Sequence, residues 1–228
     1  MNAIILCGGL STRLGDITKN IPKVLLEIGS KTVLDWQLEK LKGLGIKEVV
    51  LAAGHLAHVL RDEIGDSRLG FDIYYAIEDQ PLGTGGALKH ALQYLTRPNE
   101  PVLVINGDVL TTIDLKDMVS RLEPQSDGII LGAKVDDASN YGMLKFDEHY
   151  HLQKFLEKEG NKISGCINGG FYLFNQQVSR YFPNQEIFSI EYDVFPKMND
   201  LYVYESDRPW VDIGVPERLA WARENWKM

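Results

Sequence analysis

Short apolar runs and amphipathic segments alternate along the first 135 residues. The run from Asn2 to Cys7 stops at two glycines, which is typical of a buried strand. Apolar residues then recur at helical spacing between Thr32 and Leu44, which predicts a helix capped by Thr32. The alternation continues through predicted strands at 48–53, 72–76, 101–105 and 128–135 and predicted helices at 55–64, 85–95 and 114–122. This order predicts an α/β fold with a mostly parallel sheet covered by helices on both faces.

The rhythm changes after residue 135. Residues 141–155 are predicted to form a β-hairpin around the polar pair Asp147-Glu148, and a further strand is predicted over 170–174. A helix over 216–226, with a proline in its first turn, closes the sequence. We expect a single domain over residues 1–228, in which 1–135 form the core. The remaining residues, 136–228, carry β-rich insertions and the closing helix.

Composition and charge narrow the classes of function. The 228 residues include 24 Lys and Arg against 32 Asp and Glu, and the net charge of −8 argues against nucleic acid or an acidic membrane as the partner. No apolar run approaches the ~20 residues that span a bilayer, and no charged leader is evident. The two cysteines, Cys7 and Cys166, form no CxxC pair, which favours a reducing compartment. We expect a soluble, cytoplasmic and unprocessed protein.

The glycine-rich loop after the first strand is the strongest sign of chemistry. Residues 8–14 read GGLSTRL, and ligands of open α/β sheets bind beyond the carboxyl ends of the strands. Adjacent glycines let backbone N–H groups approach an anion, while Arg13 and then Lys23 add cationic donors. The spacing matches neither GxGxxG nor GxxxxGK[ST], which argues against a dinucleotide fingerprint and a P-loop. We predict that this loop binds phosphate.

Three further segments hold candidate ligand groups. A second glycine-rich turn, PLGTGGA at residues 81–87, leads into a helix and offers backbone donors and a close-approach surface for a flat base. Asn106-Gly107-Asp108 follows a buried strand, where a carboxylate can hold a hard cation, and Asp212 is the candidate partner carboxylate. The glycine-rich turn alone is equally typical of a helix start, and a lone aspartate after a strand is usually a turn or cap residue.

Taken together, the motifs resemble those of the sugar-1-phosphate nucleotidyltransferase family. GGLSTRL followed by Pro22-Lys23 is similar to the pyrophosphorylase motif of that family, and the later motifs follow in family order along essentially the whole chain. The resemblance implies a Rossmann-like, GT-A-like three-layer fold and Mg²⁺-dependent transfer of a nucleoside monophosphate from an NTP to a sugar 1-phosphate. It assigns Arg13 to the pyrophosphate and Lys23 to the α-phosphate. Asp108 and Asp212 become the Mg²⁺ ligands.

The same resemblance supplies sets of site residues. The nucleotide set comprises Leu6, Gly8, Gly9, Ser11, Thr12, Arg13, Lys23, Glu78, Pro81, Gly83, Thr84, Asn106 and Gly107. The sugar-phosphate set comprises Gly142, Glu157, Lys158, Asn168, Gly169 and Asp193. The catalytic set comprises Arg13, Lys23, Asp108 and Lys158. Lys158 is expected to meet the phosphate of the sugar. The chain has Glu159 where the family often has proline, and a helix-start role is the alternative for Glu191 and Asp193.

Resemblance also orders the candidate substrates. The segments CGG at 7–9, LGTGGA at 82–87 and FSIEYDVFP at 188–196 most resemble the short guanylyltransferases that act on D-glycero-α-D-manno-heptose 1-phosphate. GTP and that heptose are therefore the preferred substrates. Mannose-1-phosphate guanylyltransferases, and thymidylyl- or uridylyltransferases on other hexose 1-phosphates, are the alternatives. A glycosyltransferase is expected to carry a DxD motif, which Asn106-Gly107-Asp108 is not. Monomer and homodimer both stay open.

Overall fold

The computed structural model describes residues 1–156 and 163–226. Within them the strands are β1 (Asn2–Leu6), β2 (Glu27–Ile28), β3 (Lys31–Thr32), β4 (Glu48–Ala53), β5 (Ser67–Arg68), β6 (Phe71–Ile77), β7 (Val102–Asn106), β8 (Val109–Thr111), β9 (Gly128–Val135), β10 (Met143–Phe146), β11 (Leu152–Leu156), β12 (Gly165–Phe174), β13 (Leu201–Ser206) and β14 (Trp210–Asp212). The α-helices are α1 (Val33–Leu41), α2 (Ala57–Ile64), α3 (Gly83–Ala91), α4 (Leu115–Ser120) and α5 (Pro216–Asn225). A π-helical turn spans Ile190–Val194. Short 3₁₀ segments span Thr12–Thr18, Lys23–Leu25, Leu92–Tyr94, Val178–Tyr181 and Phe195–Lys197.

A large mixed sheet runs through the molecule in the order β11-β10-β12-β7-β1-β4-β6-β5, and β9 joins β12 and carries β13 on its other edge. Strand β1 pairs in parallel with β4 on one side and β7 on the other, and β4 continues in parallel to β6. Strand β12 runs antiparallel to β7, β9 and β10. The sheet therefore has a parallel half and an antiparallel half, which meet where β7 pairs with β12. Strand β9, although it belongs to the predicted core of residues 1–135, lies in the antiparallel half beside β12.

Helices cover both faces of the sheet, as the α/β prediction requires. Helices α1, α2 and α4 contribute buried leucines, isoleucine and methionine to the core on one face. Helix α3 packs on the opposite face with the segment around the π-helical turn. Helix α5 closes a smaller apolar cluster against β8 and β14. No helix in the described parts of the chain is both long and apolar enough to cross a membrane.

The predicted boundaries hold better in the parallel half than in the antiparallel half. Thr32 caps α1 as predicted, because its hydroxyl accepts from the backbone N–H of Asp35 at 3.1 Å. The hairpin of β10 and β11 is also confirmed. Strand β12, by contrast, begins at Gly165 and not at residue 170, and β8, β13 and β14 were not predicted. These elements are set by pairing with distant segments and not by a local signal.

Candidate active site

A cleft of about 530 Å³ opens beyond the carboxyl ends of β1 and β7. This is the edge where ligands bind in open α/β sheets, because backbone groups there are left unpaired by the sheet. All residues of the predicted nucleotide set line the cleft, together with Asp108, Cys7, Leu10, Val24, Ala87 and Gly214. The convergence comes from the parallel register, in which Leu6 of β1 lies beside Asn106 of β7. The prediction that these segments meet in space is confirmed. Their contacts with a nucleotide stay a prediction.

The loop after β1 presents a cation and backbone to this cleft. Ser11 has a left-handed backbone with φ 54°, and its carbonyl accepts from the N–H of Leu14 at 2.9 Å and from the hydroxyl of Thr18 at 3.2 Å. These bonds hold the turn that carries Arg13. Arg13 is exposed, and its guanidinium forms no ion pair within residues 1–156 or 163–226. The loop is therefore a held turn with an available planar cation, which suits phosphate oxygens.

Two aspartates and one lysine meet at one side of the cleft, where Asp108 and Lys23 line it and Asp212 lies beside the lining residue Gly214. Lys23 donates to Oδ2 of Asp108 at 2.9 Å, and both side chains are mostly buried. Asp212 enters from β14, which pairs with β8 so that Asp212 lies opposite Val109. The backbone N–H of Ile213 also donates to the carbonyl of Asp108 at 2.9 Å. The strand pair thus brings two carboxylates that are distant in sequence to one place.

The surroundings of Gly214 show how close Arg13, Asp108 and Asp212 lie to one another. A Cβ on Gly214 would lie 2.9 Å from Oδ1 of Asp212, 3.1 Å from Nη2 of Arg13 and 3.6 Å from Oδ2 of Asp108. The Arg13 guanidinium and the carboxylates of Asp108 and Asp212 therefore border the same small space. The structure brings Arg13, Asp108 and Asp212 together, and their roles toward pyrophosphate and Mg²⁺ stay a prediction.

The two oxygens of the Asp212 carboxylate differ in their hydrogen bonds. Oδ1 accepts from Nη2 of Arg218 at 2.7 Å and from the N–H of Gly214 at 3.0 Å, and Nε of Arg218 donates to the Asp212 carbonyl. Oδ2 is buried and accepts no hydrogen bond of ordinary geometry from the residues that the structure describes. Tyr141 is a neighbour of this carboxylate, and burial followed by the charge of Asp212 raises the pKa of the Tyr141 hydroxyl. A buried carboxylate oxygen of this kind is suited to contact water or an ion. Sequence reasoning missed Arg218, whose position in the first turns of α5 carries no recognisable signal.

The donor set on this side of the cleft fits a hard divalent cation that is also held by its substrate. No cluster of three or more His, Cys, Asp or Glu side chains suited to a metal occurs in the described ranges. Mg²⁺ needs no such cage, since it usually takes one or two carboxylates and completes its shell with phosphates and water. Asp108 and Asp212 supply that number, and Oδ2 of Asp212 accepts no hydrogen bond of ordinary geometry among the described residues.

The second glycine-rich turn is held mainly by protein contacts. The N–H groups of Gly85 and Gly86 donate to the carbonyl of Phe188 at 2.9 and 3.3 Å. A Cβ on Gly83 would lie 2.6 Å from that carbonyl oxygen, and one on Gly85 would overlap the Phe188 ring. The expectation that this turn offers its backbone donors to a base is therefore wrong for Gly85 and Gly86. Those glycines instead let residues 186–190 pack onto the start of α3.

Glu78 lies between the loop after β1 and the loop after β4. A Cβ on Gly8 would come within 2.6 Å of its Oε1, and one on Gly54 within 2.8 Å. The other oxygen, Oε2, accepts from the N–H of Leu82 at 3.3 Å. Burial raises the pKa of the Glu78 carboxyl, and the Leu82 hydrogen bond and the charge of His90 oppose this only partly. The glycines thus make room for a carboxylate in the cleft wall.

The described residues of the predicted sugar-phosphate set lie outside the lining of this cleft. None of Gly142, Asn168, Gly169 and Asp193 is among its lining residues. Asn168 connects to the cleft indirectly, because its Nδ2 donates to the hydroxyl of Tyr172 at 2.9 Å. The carbonyl of Gly142 accepts from the N–H of Asn168, and the carbonyl of Gly169 accepts from Nε1 of Trp210. Glu157 and Lys158 lie outside the described residues.

Asp193 acts at the start of the π-helical turn. Its Oδ2 accepts from the backbone N–H of Ser189 at 2.8 Å, while the Ser189 hydroxyl accepts from Glu191 N–H at 3.1 Å. This reciprocal pattern is similar to a capping box, with the acidic side chain one position later than in the usual arrangement. The helix-start alternative therefore has direct structural support, and the sugar-binding role of Asp193 stays a prediction. Glu191 differs, since its Oε2 accepts from the hydroxyls of Thr84 and Ser189 at 2.8 and 2.6 Å.

The fold and the grouped site define the class of protein. Residues 2–227 match the nucleotidyl transferase family model, and the chain belongs to this family. The sequence is 41% identical to D-glycero-alpha-D-manno-heptose 1-phosphate guanylyltransferase of Campylobacter jejuni over 95% of this chain and 96% of that protein. It is 35% identical to the mannose-1-phosphate guanylyltransferase catalytic subunit beta of Drosophila melanogaster, over 94% of this chain but only 60% of that protein.

A solved structure agrees with this family assignment. HddC from Yersinia pseudotuberculosis, complexed with GMP-PN, superposes with a TM-score of 0.85 at 34% sequence identity, covering 99% of both chains. The predicted class of fold and the predicted class of enzyme, a sugar-1-phosphate nucleotidyltransferase, are thereby confirmed.

Proposed function

We propose that the protein transfers GMP from GTP to D-glycero-α-D-manno-heptose 1-phosphate, giving a GDP-heptose and pyrophosphate. The observation that carries the proposal is the meeting of Arg13, Asp108 and Asp212 around Gly214 at the mouth of the glycine loop. A site of this kind is suited to a triphosphate and a second phosphate. The choice of base and sugar is supported by the Campylobacter jejuni relative and by HddC in complex with GMP-PN.

The chemistry requires positioning and charge neutralisation more than acid–base catalysis. A phosphate oxygen of the sugar 1-phosphate attacks the α-phosphorus of GTP, and the bond from that phosphorus to the α,β-bridging oxygen breaks. Pyrophosphate leaves in line with the attacking oxygen, and the attacking oxygen is already anionic at neutral pH. In this proposal Arg13 binds the departing pyrophosphate and Lys23 the α-phosphate. Lys158 would bind the incoming phosphate.

The carboxylates have a separate role in the proposal. Enzymes of this family typically use a divalent metal ion, and we assign Mg²⁺ to Asp108 and Asp212. When bound, the ion would neutralise charge on the phosphate oxygens. Lys23 keeps Asp108 in place through its 2.9 Å contact, and Arg218 does the same for one oxygen of Asp212.

Glu78 is our candidate for reading the base. Guanine presents two adjacent donors, N1–H and the N2 amino group, which one carboxylate can accept together, whereas uracil and thymine present a single N3–H between two carbonyl groups. Glu78 lies in the cleft wall near the loop that wraps the nucleotide in this proposal. As a carboxylate it has only acceptors to offer, and so it favours guanine.

The sugar 1-phosphate is proposed to bind beside the cleft, against the antiparallel half. In this proposal residues 1–135 hold the nucleotide, and residues 136–228 hold the sugar through Gly142, Glu157, Asn168 and Gly169. In this proposal the two parts belong to one domain, which the pairing of β12 with both β7 and β9 supports. We further propose a cytoplasmic enzyme without nucleic-acid or membrane partners, acting as a monomer or a homodimer.

The second candidate is mannose-1-phosphate guanylyltransferase activity. The Drosophila melanogaster relative favours this candidate, because the match covers 94% of the length of the present chain. That candidate shares GTP and every proposed role in the cleft, and it differs only in the sugar. The two are therefore separated by substrate preference alone.

Pyrophosphate release tests the proposal directly. The purified protein with Mg²⁺ is assayed with GTP, ATP, UTP and dTTP, each crossed with the 1-phosphates of the heptose, mannose, glucose and N-acetylmuramic acid. We expect the highest kcat/KM for GTP with the heptose. A preference for mannose would establish the second candidate. Release with UTP or dTTP but not GTP would overturn the guanylyl assignment, and release with no pair would overturn the transferase assignment.

A further inference from the structure

A fully buried hydroxyl connects groups from both sides of the cleft. Tyr172 lies on β12 with no exposed surface, and its ring packs against Phe174 and Phe195 at centroid distances of 5.9 and 5.4 Å. Its hydroxyl accepts from Nδ2 of Asn168 at 2.9 Å and from Nδ2 of Asn106 at 3.4 Å. It donates to Oε1 of Glu191 at 3.4 Å. A hydroxyl with three side-chain partners in an apolar core calls for a functional explanation.

The bonding capacity of this hydroxyl is fully used. A phenol has one proton to donate and two lone pairs, which match Glu191 and the two amide donors. Burial raises the pKa of Tyr172 well above its usual range, so the phenol keeps its proton at neutral pH. The contact with Asn168 is of ordinary length, while the other two are long. Long hydrogen bonds of this kind often tighten only when a substrate is bound.

Two of the three hydrogen-bond partners of the Tyr172 hydroxyl, Asn106 and Glu191, connect it to the cleft. Asn106 lines the cleft, and its Oδ1 is buried without a partner among the described residues. Glu191 reaches the cleft through Thr84, whose hydroxyl donates to Oε2 of Glu191 at 2.8 Å. A nucleotide that contacts Asn106 or Thr84 therefore acts on partners of Tyr172.

The third partner of the hydroxyl, Asn168, lies on β12 in the antiparallel half of the sheet. The register of β12 shifts between Asn168 and Tyr172, where Gly170 has φ +72°. Such a bulge re-aims side chains and is common beside active sites. Here it lets Oδ1 of Asn168 accept from the N–H of Gly170 at 3.0 Å while Nδ2 bonds Tyr172. Both ends of this carboxamide are held, and one of its amide hydrogens stays available for a ligand.

We propose that Tyr172 is a positioning residue whose hydroxyl fixes Asn168 for the sugar 1-phosphate and couples that subsite to the nucleotide through Asn106 and Glu191. This inference rests on the proposed function, because it requires two substrates in adjoining subsites. Filling the nucleotide side tightens the long contacts, and the tightened hydroxyl holds Asn168 more firmly. The nucleotide thereby strengthens binding of the sugar 1-phosphate.

Tyr172→Phe is the direct test, since phenylalanine keeps the ring packing and removes only the hydroxyl. Initial rates of pyrophosphate release are measured over a matrix of GTP and heptose 1-phosphate concentrations, or with the best pair of the substrate panel. We expect the KM of the sugar 1-phosphate to rise about tenfold and the KM of GTP to change less than threefold. In the wild type the sugar KM falls as GTP saturates, and in the variant this dependence is lost.

A double-mutant cycle separates positioning from general damage. If Tyr172 acts through Asn168, then Tyr172→Phe changes the sugar KM less than twofold in an Asn168→Ala background. Tyr181→Phe is the matched control, because it also removes a phenol bonded to a carboxylate, that of Asp127 at 2.6 Å, but away from the cleft. It should leave both KM values within twofold. Thermal melting of each variant checks folding.

Contrary outcomes are distinct from failure of the proposed function. A wild-type enzyme that turns over, with Tyr172→Phe unchanged in sugar KM and in its GTP dependence, would overturn the inference alone. Independent effects of the two substitutions would also overturn it. A wild type that releases no pyrophosphate would overturn both. Should Tyr172→Phe not fold, Glu191→Gln weakens the acceptor of the same hydroxyl, and an unchanged GTP dependence there would contradict the coupling.

Discussion

The two sides of the cleft differ in what their polar groups already contact. On the side of the glycine loop, Arg13 is exposed without an ion pair among the described residues, and Oδ2 of Asp212 accepts no hydrogen bond of ordinary geometry from them. On the antiparallel side, Asn168 and Asp193 are each bonded within the protein. The first side can receive a highly charged ligand with its own free groups. On the second side, Asn168 and Asp193 are held in place by protein contacts, and in our proposal such fixed groups select among sugars.

Loss of a cleft carboxylate should produce the largest effect. Asp108→Asn removes the charge opposite Lys23 and half of the proposed metal set, and we expect kcat to fall by about 100-fold or more with the fold retained. Pyrophosphate release and thermal melting measure the two effects. Asp117→Asn is the matched control, because Asp117 bonds Arg121 and Tyr204 on the surface and should leave kcat unchanged. Near-normal turnover of Asp108→Asn would contradict the metal assignment.

Base choice should show the next largest effect. Glu78→Gln replaces one of two acceptor oxygens with a donor, and we expect the preference for GTP over UTP in kcat/KM to fall by about 10- to 100-fold. The competing substrates are assayed separately at matched Mg²⁺. Glu63→Gln, on the exposed face of α2, serves as the control with the same chemistry. An unchanged preference would remove Glu78 from base reading.

The same residue predicts a pH dependence. Because burial raises the pKa of the Glu78 carboxyl, it stays protonated to a higher pH than an ordinary glutamate. A protonated carboxyl cannot accept from both guanine donors, so kcat/KM for GTP should increase as pH rises through that range. Rates of GTP turnover at saturating sugar 1-phosphate are compared for the wild type and Glu78→Gln. The variant should lack this acidic arm, and an identical arm in both proteins would assign it to another group.

The two glycine-rich turns should respond in opposite ways to an added methyl group. A Cβ on Gly9 would meet nothing within 4 Å, whereas one on Gly85 would overlap the Phe188 ring. We expect Gly9→Ala to keep the melting temperature but weaken GTP binding several-fold, because the backbone can no longer approach phosphate closely. Gly85→Ala should instead lose about 1–3 kcal/mol of stability from overpacking. Melting curves and the KM of GTP, measured for both variants, would show whether this division is wrong.

The smallest effect is expected at Asp193. Its contact with Ser189 N–H is that of a helix cap, so Asp193→Ala should cost about 1 kcal/mol of stability and change turnover less than twofold. Asp114→Ala, which removes the cap of α4 far from the cleft, is the matched control. A tenfold higher KM for the sugar 1-phosphate, without loss of stability, would restore the predicted binding role.

The nucleotide side could be predicted from sequence because its residues follow the ends of parallel strands. Leu6 and Asn106 are neighbours in register, so motifs after β1 and β7 must meet at one edge. The antiparallel side offers no such rule. The capping role of Asp193 depends on a π-helical turn, and the hydrogen bonds of the Tyr172 hydroxyl depend on a register shift in β12. Neither feature has a sequence signature.

Some site features were missed for the same physical reason. Arg218 reaches Asp212 only because β14 pairs with β8 and α5 follows directly. Gly85 and Gly86 look like ligand-facing glycines, yet their N–H groups bond Phe188, about a hundred positions further along the chain. Family resemblance could name segments, but it could not say whether a group faces a ligand or a distant part of the protein.

The central position of β1 has a consequence for how the protein is made. Both of its neighbours, β4 and β7, come later in the chain, so during synthesis one edge of β1 stays unpaired until residue 53 has emerged and the other until residue 106 has emerged. Unpaired apolar strands are prone to associate with other chains. The glycine-rich loop after β1 is thus translated first, and the strand that completes its side of the cleft, β7, is translated later. A nascent chain stalled before β7 is the species we expect to need protection by a chaperone.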